Sequence, residues 1–188
     1  MVPITDLSAS LCRTDAPAAE SRRRPRLVLG LGNDILRDDA IGLRVVRELH
    51  DRLPPDSDTD VLETSEMGLA LLDLVVGYRE LFIVDAVQTG RAEPGHLHEF
   101  AGDTLQRLPR ISPHVLGVGE MLAAGRELGL AMPERVRIFA IEVADPFTLD
   151  TELTPALQAA LPRVTARVLA ALGAVSWMRL ARADPATS

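Results

Sequence analysis

Four polar residues stand where chemistry is possible: Asp38, Asp39, Asp85 and His114. Asp38-Asp39 follows a short apolar run (Leu27, Val28, Leu29) and the turn Gly30-Leu31-Gly32-Asn33. Asp85 ends the most apolar stretch of the chain, Leu81-Phe82-Ile83-Val84, and His114 opens a helical pattern after Ser112-Pro113. Two carboxylates and an imidazole make a ligand set for a divalent cation such as Zn, Ni or Mn, with positions left for water or substrate. Carboxylates can also take a proton from a water nucleophile. Each residue has a structural alternative. Asp38 or Asp39 could cap the helix that follows, favoured by its dipole and its unpaired N–H groups. Asp85 could cap the next turn, although a carboxylate directly behind an apolar strand requires a partner. His114 could be a satisfied histidine at a helix start. On the residues alone both readings stand.

The elements that would carry these side chains alternate. Residues 26–31 read as a strand apolar on both faces. Residues 39–53 read as a helix, with Ile41, Val45, Val46 and Leu49 on one side. A second strand is expected at 60–64 and a helix from about Leu69 to Val76, ended by Gly77. The clearest strand is 80–87. Residues 96–100 alternate as a half-exposed edge strand does, and an antiparallel pairing is expected there. A helix over about 114–128, a strand over 135–143 and a helix over about 153–173 complete the series. The reading is an α/β protein: three layers, a twisted, mostly parallel sheet of about five strands, and helices on both faces. Asp39, Asp85 and His114 then converge on one rim, the edge where ligands bind in open α/β sheets.

Composition bounds the partners. With 188 residues and 47% apolar side chains the chain can bury one sizeable core. We expect a single domain at 26–180, a disordered extension at 1–25 containing Arg22, Arg23 and Arg24, and a frayed tail at 181–188. A net charge of -7 leaves no footprint for nucleic acid. No apolar run approaches the ~20 residues that span a bilayer, and no secretory signal is visible. Cys12 is the single cysteine, which rules out an intrachain disulfide and suits a reducing cytoplasm. A monomer is expected.

Competing motifs are weaker. Gly30 and Gly32 begin a dinucleotide fingerprint, but Ile35 stands where its third glycine belongs. Ser112 lies in no nucleophile elbow. His96 and His98 share one face of the edge strand, where they are surface residues or line a substrate channel. His50 reads as a dipole partner at a helix C-terminus. Glu66 and Glu142 lie near strand ends as possible supports for a site, and Trp177 as a packing anchor.

Taken in order, GLGNDILRDDAIG, LFIVDAV and SPHVLG resemble the motifs of the hydrogenase maturation endopeptidases, which finish the large subunit of nickel–iron hydrogenases. The resemblance covers roughly residues 26–175. It implies a twisted sheet with helices on both sides and removal of a short C-terminal peptide from the large-subunit precursor once nickel is in place. It implies that Asp39, Asp85 and His114 are metal ligands through which the protease reads nickel carried by its substrate, with another divalent metal as a possible substitute in vitro. Asp39 and Asp85 would be catalytic, and Asp38 would orient a ligand or take a proton if it is not a cap. The sequence departs from the family in two places. Asp39 stands where some members have Glu. In Glu63-Thr64-Ser65-Glu66-Met67-Gly68, Thr64 and Ser65 replace two family glycines. That loop is expected to choose the substrate, with Thr64, Ser65, Glu66 and Gly68 contacting it. Two rival functions remain at this stage: a non-catalytic nickel-sensing docking protein for the immature subunit, and a small-molecule metallohydrolase.

Overall fold

The computed structural model describes residues 24–101 and 117–180. The chain runs β1 (Arg24–Leu31), α1 (Ile41–Arg52), β2 (Thr59–Thr64), α2 (Leu72–Val75), β3 (Tyr78–Val87), β4 (Leu97–Ala101), α3 (Val118–Glu127), β5 (Arg135–Glu142) and α4 (Pro155–Leu180). Single 3-10 turns precede α1 at Asp38–Ala40 and α2 at Gly68–Leu71. The expected α/β order is therefore present. The expected helix at 39–53 splits into a 3-10 turn and α1, and the helix expected from Leu69 to Val76 is a 3-10 turn running into a short α2. The last helix continues past residue 173 to Leu180. Of the helix expected at 114–128, residues 114–116 lie outside the described residues, and so do the two termini.

The five strands form one sheet in the order β2-β1-β3-β5-β4. β1 pairs in parallel with β2 and β3, and β3 with β5. β4 closes the edge antiparallel to β5, with His98 opposite Ala140. Strand β3 is central and buried along nearly its whole length, which explains its unbroken apolar sequence. One face of the sheet, with Val28, Phe82, Val84 and Phe139, packs on α1 and α4 through Val46, Leu49, Leu157, Val164 and Val168. The other face, with Leu29, Leu81, Ile83 and Ile138, packs on α2 and α3 through Leu71, Val75, Met121 and Leu122. Burying each of these side chains contributes about 1.5–3 kcal/mol, so two separate cores hold the sheet flat against its helices.

The strand order reverses direction at β1. The chain leaves β1 for β2 on one side and later returns to β3 on the other. The crevice beyond the C-terminal ends of β1 and β3 is thus the switch point of the sheet, where ligands bind in folds of this class.

Candidate functional site at the switch point

The C-terminal ends of β1 and β3 receive α1 almost in backbone contact. A Cβ on Gly42 would lie 2.2 Å from the Leu31 carbonyl oxygen and 2.6 Å from that of Val84. Only glycine lets the first turn of α1 sit over both strand ends. At the end of β1, Gly32 has φ +148°, and a Cβ there would lie 2.2 Å from the carbonyl oxygen of Asp39. These two close approaches explain the glycines that flank the acidic pair. They hold the Asp38–Ala40 turn against the end of β1, and that turn also packs on β3. Asp39 and Asp85 are thereby carried to the same rim by neighbouring parallel strands.

The two adjacent aspartates have different surroundings. Asp38 is fully buried. Its Oδ1 accepts the Thr154 N–H at 2.8 Å. Its Oδ2 accepts the Asp145 N–H and the Thr154 hydroxyl, each at 3.1 Å. Thr154 directly precedes α4, which starts at Pro155, the residue type suited to a first helical position. Asp38 thus supports the start of the last helix of the chain rather than that of its own helix. Asp39, one residue on, is only half-buried.

Residues 33–38 are stitched to 145–154. Leu36 bridges Leu149 antiparallel. Arg37 N–H donates to the Thr148 carbonyl at 3.0 Å and Asp38 N–H to the Asp145 carbonyl at 3.1 Å. The Arg37 guanidinium bonds the Asp150 carboxylate at 2.5 Å and Asp145 at 3.5 Å. That bond holds the Asp150 carboxyl below the usual carboxylate range and raises the guanidinium. Asp145 is also lowered, first by its hydrogen bond with Thr148. Sequence reading did not single out Arg37, Asp145, Asp150 or Thr154. The only local signal was Thr-Pro at a helix start.

Asp85 lies on β3 beside Ala140 of β5 and is fully buried. Its Oδ1 accepts the Ala86 N–H at 2.9 Å. Two residues further along β5, the buried Glu142 carboxylate accepts the N–H groups of Thr89 and Gly90 at 2.7 and 2.8 Å and the Thr89 hydroxyl at 2.7 Å. His98 Nε2 lies 2.9 Å from the same carboxylate. Burial pushes Glu142 up, but the Thr89 hydroxyl, His98 and the two N–H groups outweigh it and hold the carboxyl below its ordinary value. Glu142 therefore pins the loop that follows Asp85. His98 is partly exposed and takes part in this support, with His96 edge-on to its ring and Phe100 stacked on the other side. His50 sits in the last turn of α1 as expected.

Of the loop expected at 63–68, Glu63 and Thr64 are the last residues of β2 and Gly68 opens a 3-10 turn, so only residues 65–67 are irregular; they leave β2 on the other side of β1. Gly32 N–H donates to the Thr64 carbonyl at 3.3 Å, and the Thr64 hydroxyl accepts the Glu66 N–H at 3.0 Å. Ser65 and Glu66 are exposed. A Cβ on Gly117 would lie 2.6 Å from Gly68 Cα, so this loop lies against the residues that open α3. His114 and Ser112 lie outside the described residues, as does the side chain of Trp177. Among the described residues, no group of three or more His, Cys, Asp or Glu side chains gathers closely enough to hold a metal ion. The carboxylates of Asp39 and Asp85 are oxygen donors of the hard type that divalent cations take. Among the described residues, no helix is long and apolar enough to cross a membrane.

A three-layer α/β sheet with carboxylates at its switch point defines a class of ligand-binding and hydrolytic proteins rather than one activity. Comparison with known proteins narrows it. Residues 43–171 match the family model of the hydrogenase maturation proteases, HycI. The Hydrogenase 2 maturation protease of Escherichia coli K12 is 31% identical over 148 residues, covering 78% of this chain and 89% of that protein. The HupD hydrogenase expression/formation protein of Bradyrhizobium diazoefficiens is 30% identical, covering 69% and 68%. The solved structure of the hydrogenase maturating endopeptidase HybD from E. coli superposes with a TM-score of 0.70 at 30% identity, over 80% of this chain and 93% of that one. The chain belongs to the hydrogenase maturation protease family.

Proposed function

We propose that this chain is an endopeptidase that removes a C-terminal peptide from the precursor of a nickel–iron hydrogenase large subunit after nickel insertion. What supports this reading is that the Asp38–Ala40 turn lies against the end of β1 and packs on β3, the strand that carries Asp85, in a chain of this family. Nickel is part of the substrate here. It supplies a Lewis-acid centre that fixes the scissile segment at the rim. Asp39, Asp85 and His114 are its ligands from this chain. The reaction adds water across one peptide bond: the water oxygen bonds to the carbonyl carbon, a rim carboxylate takes its proton, and the departing amine receives one. That assignment makes the enzyme aspartic-type in its acid–base chemistry. Asp38 holds the turn through Thr154 and Asp145. Thr64, Ser65, Glu66 and Gly68 contact the precursor. The reading places a monomeric enzyme in the cytoplasm, where precursor and protease meet before assembly.

The test mixes the protein with nickel-loaded precursors and follows the mass of the large subunit. Loss of a C-terminal peptide with the wild type, and none with Asp39→Asn, Asp85→Asn or His114→Ala, is the expected result. Wild-type processing rates in these variants would remove the ligand assignment. Binding of precursor with no mass change would make the chain a non-catalytic docking protein instead.

A further inference from the structure

Arg47 lies on the part of α1 that faces the ends of both β1 and β2. Its guanidinium takes Asp34 in a two-pronged grip, Nη1 to Oδ1 at 3.0 Å and Nη2 to Oδ2 at 2.5 Å. The same Nη2 lies 2.7 Å from Glu63 Oε2. Asp34 belongs to the turn that leads to Asp39, and Glu63 is the next-to-last residue of β2. One side chain therefore joins the turn that carries a proposed ligand to the strand end from which the segment proposed to contact the precursor departs. The hydrogen bond to Asp34 keeps that carboxyl below its usual range and raises the guanidinium, with Glu63 adding to the latter. At its other end the loop is stopped by the contact of Gly68 with Gly117. Between and just beyond these anchors Glu66, Met67 and Leu69 are exposed, Met67 at 51% and Leu69 at 61%.

The segment is braced where it leaves β2, by the Arg47 fork on Glu63 and by the Thr64 hydroxyl, which accepts the Glu66 N–H. All three partners of the fork are more than a third exposed: Arg47 at 38%, and Asp34 and Glu63 at 45% each. Ion pairs this exposed add little to stability, so the consequence of the fork is geometric.

We propose that Arg47 is a specificity-determining positioning residue, which fixes the 63–68 loop relative to the Asp39 turn and so sets which large-subunit precursor is accepted. This rests on the endopeptidase reading above. A planar guanidinium is required, because a lysine ammonium cannot grip Asp34 with two parallel bonds while also reaching Glu63.

The experiment uses the full chain, its variants Arg47→Ala, Arg47→Lys and Glu63→Gln, and nickel-loaded precursors of two different hydrogenase large subunits. Binding affinity and steady-state processing are measured for each pair. Arg47→Ala is expected to weaken binding of the preferred precursor roughly five- to tenfold and to narrow its preference over the other. KM rises accordingly, with kcat changed less than about twofold. Arg47→Lys recovers part of the preference, and Glu63→Gln shows the same direction with a smaller effect. The melting temperature should move by no more than about 3 °C. Unchanged affinity and preference in Arg47→Ala would overturn the proposal, as would a fall in kcat at constant KM. A wild type that binds precursor without cutting it would sink the endopeptidase reading, and the Arg47 dependence of binding would still decide this one. A wild type that neither binds nor cuts either precursor overturns both.

Discussion

Asp38→Ala should unfold the protein more readily before it does anything to catalysis. The carboxylate is fully buried and accepts three hydrogen bonds from residues more than a hundred positions away. A hydrogen bond to a charged acceptor contributes about 1.5–3 kcal/mol. The three are not additive, because the Thr154 hydroxyl can turn to another partner. The part-buried backbone N–H groups of Asp145 and Thr154 cannot, and they lose their acceptor at about 1–3 kcal/mol each. The expected loss is about 3 kcal/mol, a fall in melting temperature of roughly 6–12 °C for a domain of this size. Asp38→Asn keeps one carbonyl oxygen and should lose about half as much. Thr154→Val removes only the hydroxyl and should cost about 1 kcal/mol. In the double variant Asp38→Ala/Thr154→Val the losses should fall short of their sum by about 0.5–1 kcal/mol, since the two share a bond. Urea unfolding of the four proteins measures all of this. Processing by Asp38→Asn should decline only as far as the protein unfolds. A loss below 1 kcal/mol in Asp38→Ala, or no coupling to Thr154, would refute the anchoring of α4 by Asp38. So would a fully folded Asp38→Asn that does not process.

Three further outcomes follow from the same geometry. Gly42→Ala places a methyl 2.2 Å from one carbonyl oxygen and 2.6 Å from another; it should cost 3 kcal/mol or about that, while Gly119→Ala, with open space around its Cβ in α3, should gain up to about 1 kcal/mol in the same unfolding assay. Glu142 has its carboxyl lowered in the folded state, so its stabilisation is complete above the unfolded value near 4.5 and is lost as pH falls through the lower folded value; urea midpoints between pH 3 and 6 should decline more shallowly in Glu142→Gln than in the wild type, and parallel curves would remove the assignment. Arg37→Ala loosens the 145–150 segment from the Asp38–Ala40 turn, and amide exchange should rise at position 37, Asp38 and Asp150, whose N–H groups bridge the two segments, while the core of β3 stays protected; unchanged protection would show that the backbone ladder alone suffices.

The sheet was legible because its strands differ in kind. β3 is buried on both faces and reads as Leu-Phe-Ile-Val without a break, whereas β4 is an edge strand and alternates, so even its antiparallel pairing followed from pattern. The start of α1 was not legible. A helix beginning at Asp39 has the right apolar spacing, but the backbone first makes a 3-10 turn because the Asp39 carbonyl packs on Gly32. Periodicity carries no information about such a contact. The fate of Asp38 was hidden for a related reason. Its partners, Asp145 and Thr154, stand far along the chain, and a cap is normally sought within four residues of the helix it serves. The role of Arg47 was hidden because nothing local marks a side chain that joins a turn to the end of another strand. Glu142 was noted as a possible support, and His98 as a surface residue or a channel lining. Their pairing needed the β4–β5 register, which places His98 beside Ala140 and within reach of the next inward-facing residue.

The division of labour between Asp38 and Asp39 follows from the switch point itself. The turn after β1 is free on its far side unless something holds it. Here the segment before α4 does so, and a buried carboxylate is well suited to the task. It accepts from a helix-capping threonine and from a backbone N–H at once, and water does not compete for it. Having Asp38 point inward turns the next residue outward in a tight turn. The same geometry that satisfies Asp38 leaves Asp39 only half-buried, and the close approach of Gly32 to the Asp39 carbonyl fixes the backbone between them. The acidic pair is thus one device, in which the buried member anchors the turn that carries the half-buried one.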